Sequence, residues 1–337
     1  MLKSIRRKFE KVKFHLQLDR FNKGEIALIP TYIQLEPTVR CNLNCITCTR
    51  NKVIGTYKKF DLSLEETDKI ISFFPNLNSV KLQGLGEPLL HPQIVPMLEM
   101  FKQKKIRIWT ITNGTLLNSE KYRHILLDYV DDVAISFDSV NKDNFNYLRR
   151  GADMDRIIQG IKLLTEERNK RKSNLAVGIN FVISHQNYQE LDQLHQMAIT
   201  LKVDYVTVAD VENWMIPGEE EFKESAKFVA ETRKLSPQIR KKVNRLRLRL
   251  LKKGILLGYK HCLKKLGNCY WPFKSVFITV EGEITPCCLR MHKAHSLGNI
   301  FELKSFEELW NSERYKAFRK SHLDKDTSNL TCSLCPD

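Results

Sequence analysis

The sequence predicts an α/β protein built on a sheet of parallel strands. Strand-like runs alternate with helical segments of roughly ten to fifteen residues, a pattern that favours parallel pairing through right-handed crossovers. The predicted strands span residues 33–38, 79–84, 107–113, 132–138, 176–184 and 205–211. The predicted helices span residues 64–74, 94–104, 119–129, 154–169 and 188–201. Such strands form either a curved partial barrel or an open doubly wound sheet, and both place functional loops at the carboxyl ends of the strands.

Two of the helices are preceded by a capping signal. Ser63 stands three residues before Glu66, and Asn187 stands three residues before Glu190. In a capping box the first side chain accepts from a backbone N–H of the helix, while the second reaches back to the backbone of the cap. Both pairs therefore predict a capped helix start.

The other parts of the chain differ in composition from this alternating region. Residues 1–29 predict a basic N-terminal helix, and residues 30–216 hold the alternating strands and helices. Residues 217–262 predict a basic helical connector. Residues 263–337 predict a small α+β domain that contains a β-hairpin with Glu281-Gly282 at its turn and a helix over 305–320.

Composition is that of a globular protein. Hydrophobic residues make up 42% of the chain and charged residues 28%. No run approaches ~18 consecutive apolar residues, and the N-terminus lacks the apolar core of a secretory signal, so we expect no membrane span and a cytoplasmic location. The formal net charge of +16 either attracts anionic partners or is the solvated surface of lysine-rich helices.

Nine cysteines indicate metal or redox chemistry, because disulfides do not persist in a reducing compartment. Cys41, Cys45 and Cys48 follow the first predicted strand with the spacing C-x3-C-x2-C. Thiolates suit soft metals and iron–sulfur clusters, and three ligands on a four-iron cubane leave one iron open, as a catalytic metal requires. A zinc loop or three reactive thiols is the alternative.

This cysteine spacing, placed after the first strand of an α/β pattern, resembles the radical S-adenosylmethionine (SAM) superfamily. The resemblance implies a [4Fe–4S] cluster on the three cysteines, whose open iron binds SAM and whose electron cleaves it to a 5′-deoxyadenosyl radical. It also implies a partial (β/α)6 TIM-like barrel rather than an open sheet. The residue before the third cysteine is usually aromatic in this family, whereas here it is Thr47, so the adenine contact comes from elsewhere or the pocket is looser.

Further motifs of the same family follow the next strands in order. Residues 83–88 resemble its glycine–glutamate–proline motif, in which backbone and carboxylate hold the SAM amino group, and Gly84, Gly86 and Glu87 are the matching positions. Glycine permits close approach of the backbone to a ligand. The resemblance places the other SAM contacts near later strand ends, at Asn113, Ser136, Arg150 and Asn180.

A second set of cysteines, Cys269, Cys287, Cys332 and Cys335, resembles the SPASM/Twitch domain that follows many radical SAM barrels. The sequence stops soon after Cys335, before the cysteines of a second auxiliary cluster. That arrangement is typical of the Twitch form and implies one auxiliary [4Fe–4S] cluster on these four residues. A structural zinc site with four thiolate ligands is the alternative.

Two cysteines remain, Cys262 and Cys288. Each is either a small buried residue or a hydrogen-atom donor to a substrate radical, the role that a free cysteine has in radical SAM epimerases. The sequence assigns no other catalytic residue. Four further residues are candidates for holding a substrate: Asp210, Glu212, Trp214 and Arg290.

The resemblance implies an enzyme that abstracts hydrogen from a peptide or a small, sugar-like molecule. The outcome is dehydrogenation, epimerisation or crosslinking, so the enzyme is an oxidoreductase, an epimerase or a maturase. A basic surface suits an anionic substrate, and an external donor such as flavodoxin or ferredoxin supplies the electron; a nucleic-acid partner is not favoured. The alternative is an iron–sulfur or zinc protein with a nucleic-acid or protein interaction role and no SAM turnover. Glu87, Asn113 and Ser136 at successive strand ends argue against it.

Overall fold

The computed structural model describes residues 29–212, 220–260, 269, 271–287 and 295–324, and their strands form one sheet in the order β10-β9-β8-β1-β2-β3-β4-β5-β6-β7. The strands are β1 Tyr32–Leu35, β2 Ser79–Leu82, β3 Arg107–Thr112, β4 Asp132–Ser136, β5 Ala176–Ile183, β6 Tyr205–Asp210, β7 Leu256–Lys260, β8 Ser275–Ile278, β9 Glu283–Thr285 and β10 Gly298–Asn299. The helices are α1 Arg50–Val53, α2 Leu64–Ser72, α3 Ile94–Gln103, α4 Glu120–Tyr129, α5 Lys142–Leu148, α6 Met154–Arg171, α7 Leu191–Thr200, α8 Glu220–Lys234, α9 Ser236–Leu251, α10 Trp271–Lys274, α11 Phe306–Trp310 and α12 Glu313–Leu323.

The six strands expected from the sequence are β1 to β6. Each pairs in parallel with the next one along the chain, and at least one helix lies between the members of each pair. The predicted order of strands and helices is therefore confirmed. All six strands end at the same edge of the sheet, as parallel strands must, so the loops that follow them are neighbours.

The sheet continues beyond these six strands on both sides. β7 pairs in parallel with β6, and β8 pairs in parallel with β1 before turning back into β9. Within residues 217–262, predicted as a basic helical connector, the structure adds the strand β7, whose residues Leu256–Lys260 pair in register with β6 at the edge of the barrel. The helix expected over 305–320 is two helices, since Ser312 starts α12 by accepting from the Tyr315 N–H.

The two faces of the sheet differ in chemistry. On one face, Ile33, Val80 and Ile108 stand side by side on adjacent strands and are fully buried. They belong to an apolar core to which side chains of the helices also contribute. The alternate positions point the other way because successive residues of a strand face opposite sides. This opposite side is the concave face of the sheet. It carries, in register on adjacent strands, Gln34, Lys81, Trp109 and Asp132.

A cross-strand contact shows how the concave face is filled. The Tyr205 hydroxyl on β6 donates to an Asp132 carboxylate oxygen on β4. Its ring crosses β5 at Gly178, where a Cβ atom would lie 2.2 Å from the ring. Gly178 is therefore required for this tyrosine to reach across the strand between them.

One of the two expected capping boxes is present. Ser63 accepts from the Glu66 N–H at 3.1 Å, and the Glu66 carboxylate accepts from the Ser63 N–H at 2.8 Å. The box expected at Asn187 and Glu190 is wrong. Glu190 instead accepts from the Ser139 hydroxyl at 2.6 Å and so holds the loop after β4, a tertiary contact that competes with the local cap.

The C-terminal hairpin turns where the sequence predicts. Gly282 has a φ of +85°, the left-handed region that favours glycine, and its Cα packs against the ring of Phe301. Asn299 Nδ2 donates to the Glu281 carbonyl at 2.9 Å and so fastens β10 to the turn. The N-terminal helix expected over residues 1–29 falls almost wholly outside the described residues. Within the part of the chain that is described, no helix has both the length and the apolar character needed to cross a membrane.

Candidate active site

The three cysteines of the first set lie on the loop between β1 and α1. The Asn44 N–H donates to the Arg150 carbonyl at 3.0 Å, and the Ile46 N–H donates to the Leu148 carbonyl, also at 3.0 Å. These two bonds bracket Cys45 and hold the loop against the end of α5. The Cys48 N–H donates to the Cys45 carbonyl at 3.2 Å and closes a turn between the second and third cysteine.

Each of the three cysteine side chains is half-buried, and none of them forms a disulfide. Burial raises the pKa of the Cys45 thiol to about 11 and also raises the pKa of Cys48. Charge on Cys41 adds to the rise in the pKa of both Cys45 and Cys48, so the three lie within electrostatic range. Thiols in these surroundings become thiolates only beside a compensating cation, which an iron ion provides.

The donor set fits an iron–sulfur cluster. Among the described residues, no three cysteine, histidine or acidic side chains lie close enough together to hold a single metal ion. A cubane is a different case, because each cysteine binds its own iron atom. Cys41, Cys45 and Cys48 supply the soft sulfur ligands that such a cluster takes, on one short loop at a strand end.

The Gly84–Glu87 segment packs directly on the chain that leads into the cysteine loop. A Cβ atom at Gly86 would lie 2.3 Å from the Thr38 carbonyl oxygen and 2.7 Å from that of Arg40. The Glu87 N–H donates to the Arg40 carbonyl at 2.7 Å. The two loops thus share a backbone contact that only glycine permits.

The Glu87 carboxylate faces inward and is 2% exposed. It accepts from the Asn113 N–H at 2.6 Å, the Thr112 hydroxyl at 2.9 Å and the Leu89 N–H at 3.2 Å. Burial raises its pKa, and these donors act against that rise. Both oxygens are engaged with protein donors, which favours a role in positioning the loop; the contact of this carboxylate with SAM stays a prediction.

Asn113 connects the glutamate to the cysteines. Its side-chain Nδ2 lies 3.9 Å from Cys41 Sγ and donates to Asn42 Oδ1 at 2.8 Å, while its backbone N–H binds Glu87. Its Oδ1 accepts from the Thr115 N–H at 2.9 Å. The ends of β2 and β3 are thereby joined to the cysteine loop through one residue.

Ser136 and Asn180 are direct register partners at the ends of β4 and β5, and both are half-buried on the concave face. They stand where the resemblance expects SAM contacts, and their role stays a prediction. Arg150 is exposed, and its guanidinium lies 6.0 Å from the Tyr147 ring centroid. Thr47, at the family's aromatic position, is also exposed.

Sequence reasoning missed two buried charged residues at this site. Arg149 is 6% exposed and pairs with Asp138 at 2.7 Å; it stands next to the arginine that the sequence singled out. Glu36 is fully buried at the end of β1, where Gly84 packs against its side chain. A glutamate within an otherwise strand-like run, just before the cysteine loop, was the signal available for it.

The second cysteine set is described in part. Cys269 and Cys287 are both half-buried, and the Thr285 hydroxyl donates to the Cys287 carbonyl at 3.1 Å. Burial raises the pKa of the nearby Tyr315, and charge on Cys287 adds to that rise. The remaining predicted residues of this region lie outside the described residues: Cys262, Cys288, Cys332, Cys335, Trp214 and Arg290.

Two of the candidate substrate contacts are described. Asp210 accepts a hydrogen bond from the Tyr259 hydroxyl at 3.2 Å, across β6 and β7. Glu212 is half-buried just beyond the end of β6. Neither arrangement identifies a ligand.

Comparison with known proteins agrees with this geometry. The family model described as the radical SAM superfamily matches residues 35–198, and the SPASM model, an iron–sulfur cluster-binding domain, matches residues 269–336. The chain is 27% identical over 328 residues to a tungsten-containing aldehyde ferredoxin oxidoreductase cofactor-modifying protein of Pyrococcus furiosus, covering 90% of this chain and 86% of that protein.

A second relative and one solved structure extend over a similar part of the chain. The subtilosin biosynthesis protein AlbA of Bacillus subtilis is 26% identical over 323 residues, which cover 91% of this chain and 65% of AlbA. The crystal structure of Streptococcus suis SuiB bound to its precursor peptide SuiA superposes with a TM-score of 0.65 at 17% identity, covering 92% of this chain and 72% of SuiB. The structural likeness shows the shared fold and confirms the expected barrel. The chain therefore contains a radical SAM domain over residues 35–198 and a SPASM-type domain over residues 269–336, and its cofactors are a SAM-binding [4Fe–4S] cluster and an auxiliary iron–sulfur cluster.

Proposed function

We propose that this chain cleaves SAM at a cluster held by Cys41, Cys45 and Cys48 and abstracts a hydrogen atom from a peptide. The cluster supplies the electron that breaks the sulfonium bond of SAM. One observation supports the assignment above the others: Asn113 contacts Cys41 with its side chain and Glu87 with its backbone. That contact joins the cluster loop to the glycine–glutamate–proline segment at a common strand edge.

The residues around the cluster have separate tasks in this proposal. Glu87 holds the loop that carries Gly84 and Gly86 against the cysteine loop, and the backbone of that loop contacts SAM. Ser136 and Asn180, paired on the concave face, contact the rest of the cofactor. Polar groups on the same face then orient the substrate and shield the radical from other hydrogen donors.

A peptide is the substrate class that we favour. AlbA is named for subtilosin biosynthesis, and SuiB binds a precursor peptide, and both relatives extend over most of this chain. The net charge of +16 suits an acidic peptide. A small, sugar-like molecule is the competing outcome of the substrate test below.

The reaction on that peptide is dehydrogenation, epimerisation or crosslinking. Epimerisation needs a hydrogen donor on the far side of the radical, and Cys262 or Cys288 has that role in this proposal. An external low-potential donor such as flavodoxin or ferredoxin supplies the electron. We place the reaction in the cytoplasm, where thiolate ligands stay reduced.

The first experiment measures iron, sulfide and SAM cleavage after anaerobic reconstitution. We expect about eight irons per chain, since two four-iron cubanes are proposed, and release of 5′-deoxyadenosine under a strong reductant. Replacing Cys41, Cys45 and Cys48 by Ala should remove about four irons and all SAM cleavage. Replacing Cys269 and Cys287 by Ala is the matched comparison and should remove a separate set of about four irons. Zinc in place of iron, or SAM cleavage that survives loss of the first three cysteines, would contradict the assignment.

The second experiment identifies the substrate. Peptides encoded beside the gene are incubated with the loaded enzyme, SAM and reductant in heavy water, with sugar phosphates as the competing panel. Loss of a pair of hydrogens from a peptide indicates dehydrogenation or crosslinking, whereas uptake of deuterium at the attacked carbon indicates epimerisation. Turnover of the sugar panel alone would overturn the peptide proposal and leave the SAM chemistry in place.

A further inference from the structure

The buried ion pair of Arg149 and Asp138 lies directly against the cysteine loop. Two backbone hydrogen bonds join the two segments, one from Asn44 to Arg150 and one from Ile46 to Leu148. Cys45 lies between these bonds on the first segment, and Arg149 lies between them on the second. The two residues therefore face each other across a short antiparallel pairing. No sequence motif marks this arrangement, because it depends on where α5 ends.

The arginine is held from one side only. Its Nη1 donates to Asp138 at 2.7 Å, and its side chain is 8% exposed against 13% for Asp138. Its Nε is buried and has no hydrogen-bond partner in the described structure. A buried guanidinium N–H without an acceptor is costly, and a cluster sulfur is an acceptor that would relieve that cost.

The aspartate is held firmly on the side away from the loop. Asp138 Oδ1 accepts from the Val182 N–H of β5 at 3.1 Å, while its other oxygen binds Arg149. Arg149 stands opposite Cys45 in the backbone pairing, whereas Asp138 is bonded to β5. The positive end of the pair therefore lies on the side of the cysteine loop.

We propose that the Arg149–Asp138 pair sets the reduction potential of the catalytic cluster, with Arg149 as the positive end directed at Cys45. This inference rests on the proposed function, because it takes Cys41, Cys45 and Cys48 as the ligands. Reduction adds one electron from a low-potential donor to the oxidised cluster and makes it more negative. A fixed cation nearby stabilises the reduced form, and a fixed anion destabilises it.

The test is a redox titration of the loaded chain, followed by electron paramagnetic resonance. We expect Arg149→Gln to lower the ratio of reduced to oxidised cluster at a fixed potential on the order of tenfold, which is about 59 mV for a one-electron couple. Asp138→Asn should raise that ratio, and Arg149→Lys should stay near the unmodified chain because it keeps the charge. Arg156→Gln, at an exposed arginine on α6, is the control and should leave the potential unchanged.

The opposite signs of the two variants separate a charge effect from damage to the fold. Shifts in the same direction, or no shift in either variant, would overturn the inference. If Arg149→Gln fails to take up iron, Asp138→Asn decides alone: a raised reduced fraction supports the pair, and an unchanged or lowered one overturns it. Failure of the proposed function is recognised separately, since in a chain that already carries Cys269→Ala and Cys287→Ala the titrated signal would then persist after Cys45→Ala.

Discussion

Glu36 Oε2 accepts a hydrogen bond from the Val280 N–H at 3.2 Å, across 244 positions of the chain. Its other oxygen accepts from the Leu85 N–H at 2.8 Å. One fully buried carboxyl group thus joins the end of β1, the glycine–glutamate–proline loop and the C-terminal hairpin. The glycine–glutamate–proline loop and the C-terminal hairpin are therefore both held by the Glu36 side chain.

The Glu36 carboxyl should make the stability of the chain depend on pH. Burial raises the pKa of Glu36 from 4.5 to about 7. Between those pH values the folded chain keeps a proton that the unfolded chain has released, so the free energy of unfolding falls as the pH rises through this window. Glu36→Gln has no carboxyl group to titrate, so its free energy of unfolding lacks this fall. As the pH rises through the window, the free energy of unfolding of the variant should therefore gain on the order of 2–3 kcal/mol relative to that of the unmodified chain.

Chemical denaturation of the anaerobic chain at several pH values measures this shift. Glu65→Gln, at an exposed glutamate on α2, is the control and should follow the unmodified chain at every pH. Parallel pH profiles for the chain and for Glu36→Gln would show that Glu36 titrates like a solvated carboxyl group.

Gly86 should not tolerate a methyl group. Its Cβ would lie 2.3 Å from the Thr38 carbonyl oxygen, which is backbone and cannot rotate away. We expect Gly86→Ala to destabilise the fold by about 1–3 kcal/mol and to displace the loop from the cysteines. Gly55→Ala is the matched control, because a Cβ there meets nothing within 4 Å. Equal unfolding midpoints for the two variants would contradict the close packing.

Asn113 should matter for SAM cleavage more than for folding. Asn113→Ala removes the contacts of Nδ2 with Cys41 and with Asn42, at 3.9 and 2.8 Å, but keeps the backbone bond to Glu87. If losing these hydrogen bonds raises the barrier to SAM cleavage by about 1–3 kcal/mol, the rate of 5′-deoxyadenosine release falls by roughly one to two powers of ten.

The iron content of Asn113→Ala should stay near that of the unmodified chain. Asn118→Ala, whose side chain binds the Arg156 carbonyl at 2.6 Å, is the control and should retain the rate of SAM cleavage. An unchanged rate in Asn113→Ala with full iron loading would remove the link that supports the proposed function.

Gly178 should be required for the concave face. A Cβ there would lie 2.2 Å from the Tyr205 ring, so Gly178→Ala should break the bond from Tyr205 to Asp132 and lower the free energy of unfolding by about 1–3 kcal/mol. At Gly258, on the edge strand β7, the nearest atom would be 3.7 Å away, and Gly258→Ala is the control. A Gly178→Ala chain as stable as Gly258→Ala would contradict this view of the face.

The sequence predicted most of the local structure because local structure depends on near neighbours. The alternation of strands and helices, the box at Ser63 and the turn at Gly282 all follow from short-range patterns. The box expected at Asn187 failed because Glu190 binds the distant loop after β4. β7 was missed because five residues after a basic helix carry little signal without the neighbouring strand that pairs with them.

The sequence by itself determined the family, the cysteine spacing and the order of motifs along the strands, since these depend on residue type and separation. The tertiary structure alone decided which charged groups are buried beside the cysteines. Arg149 and Arg150 are adjacent and identical in type, yet the end of α5 buries the first against Cys45 and exposes the second. Burial depends on the packing of segments far apart in the sequence, and burial is what gives Glu36 and Arg149 their electrostatic effect.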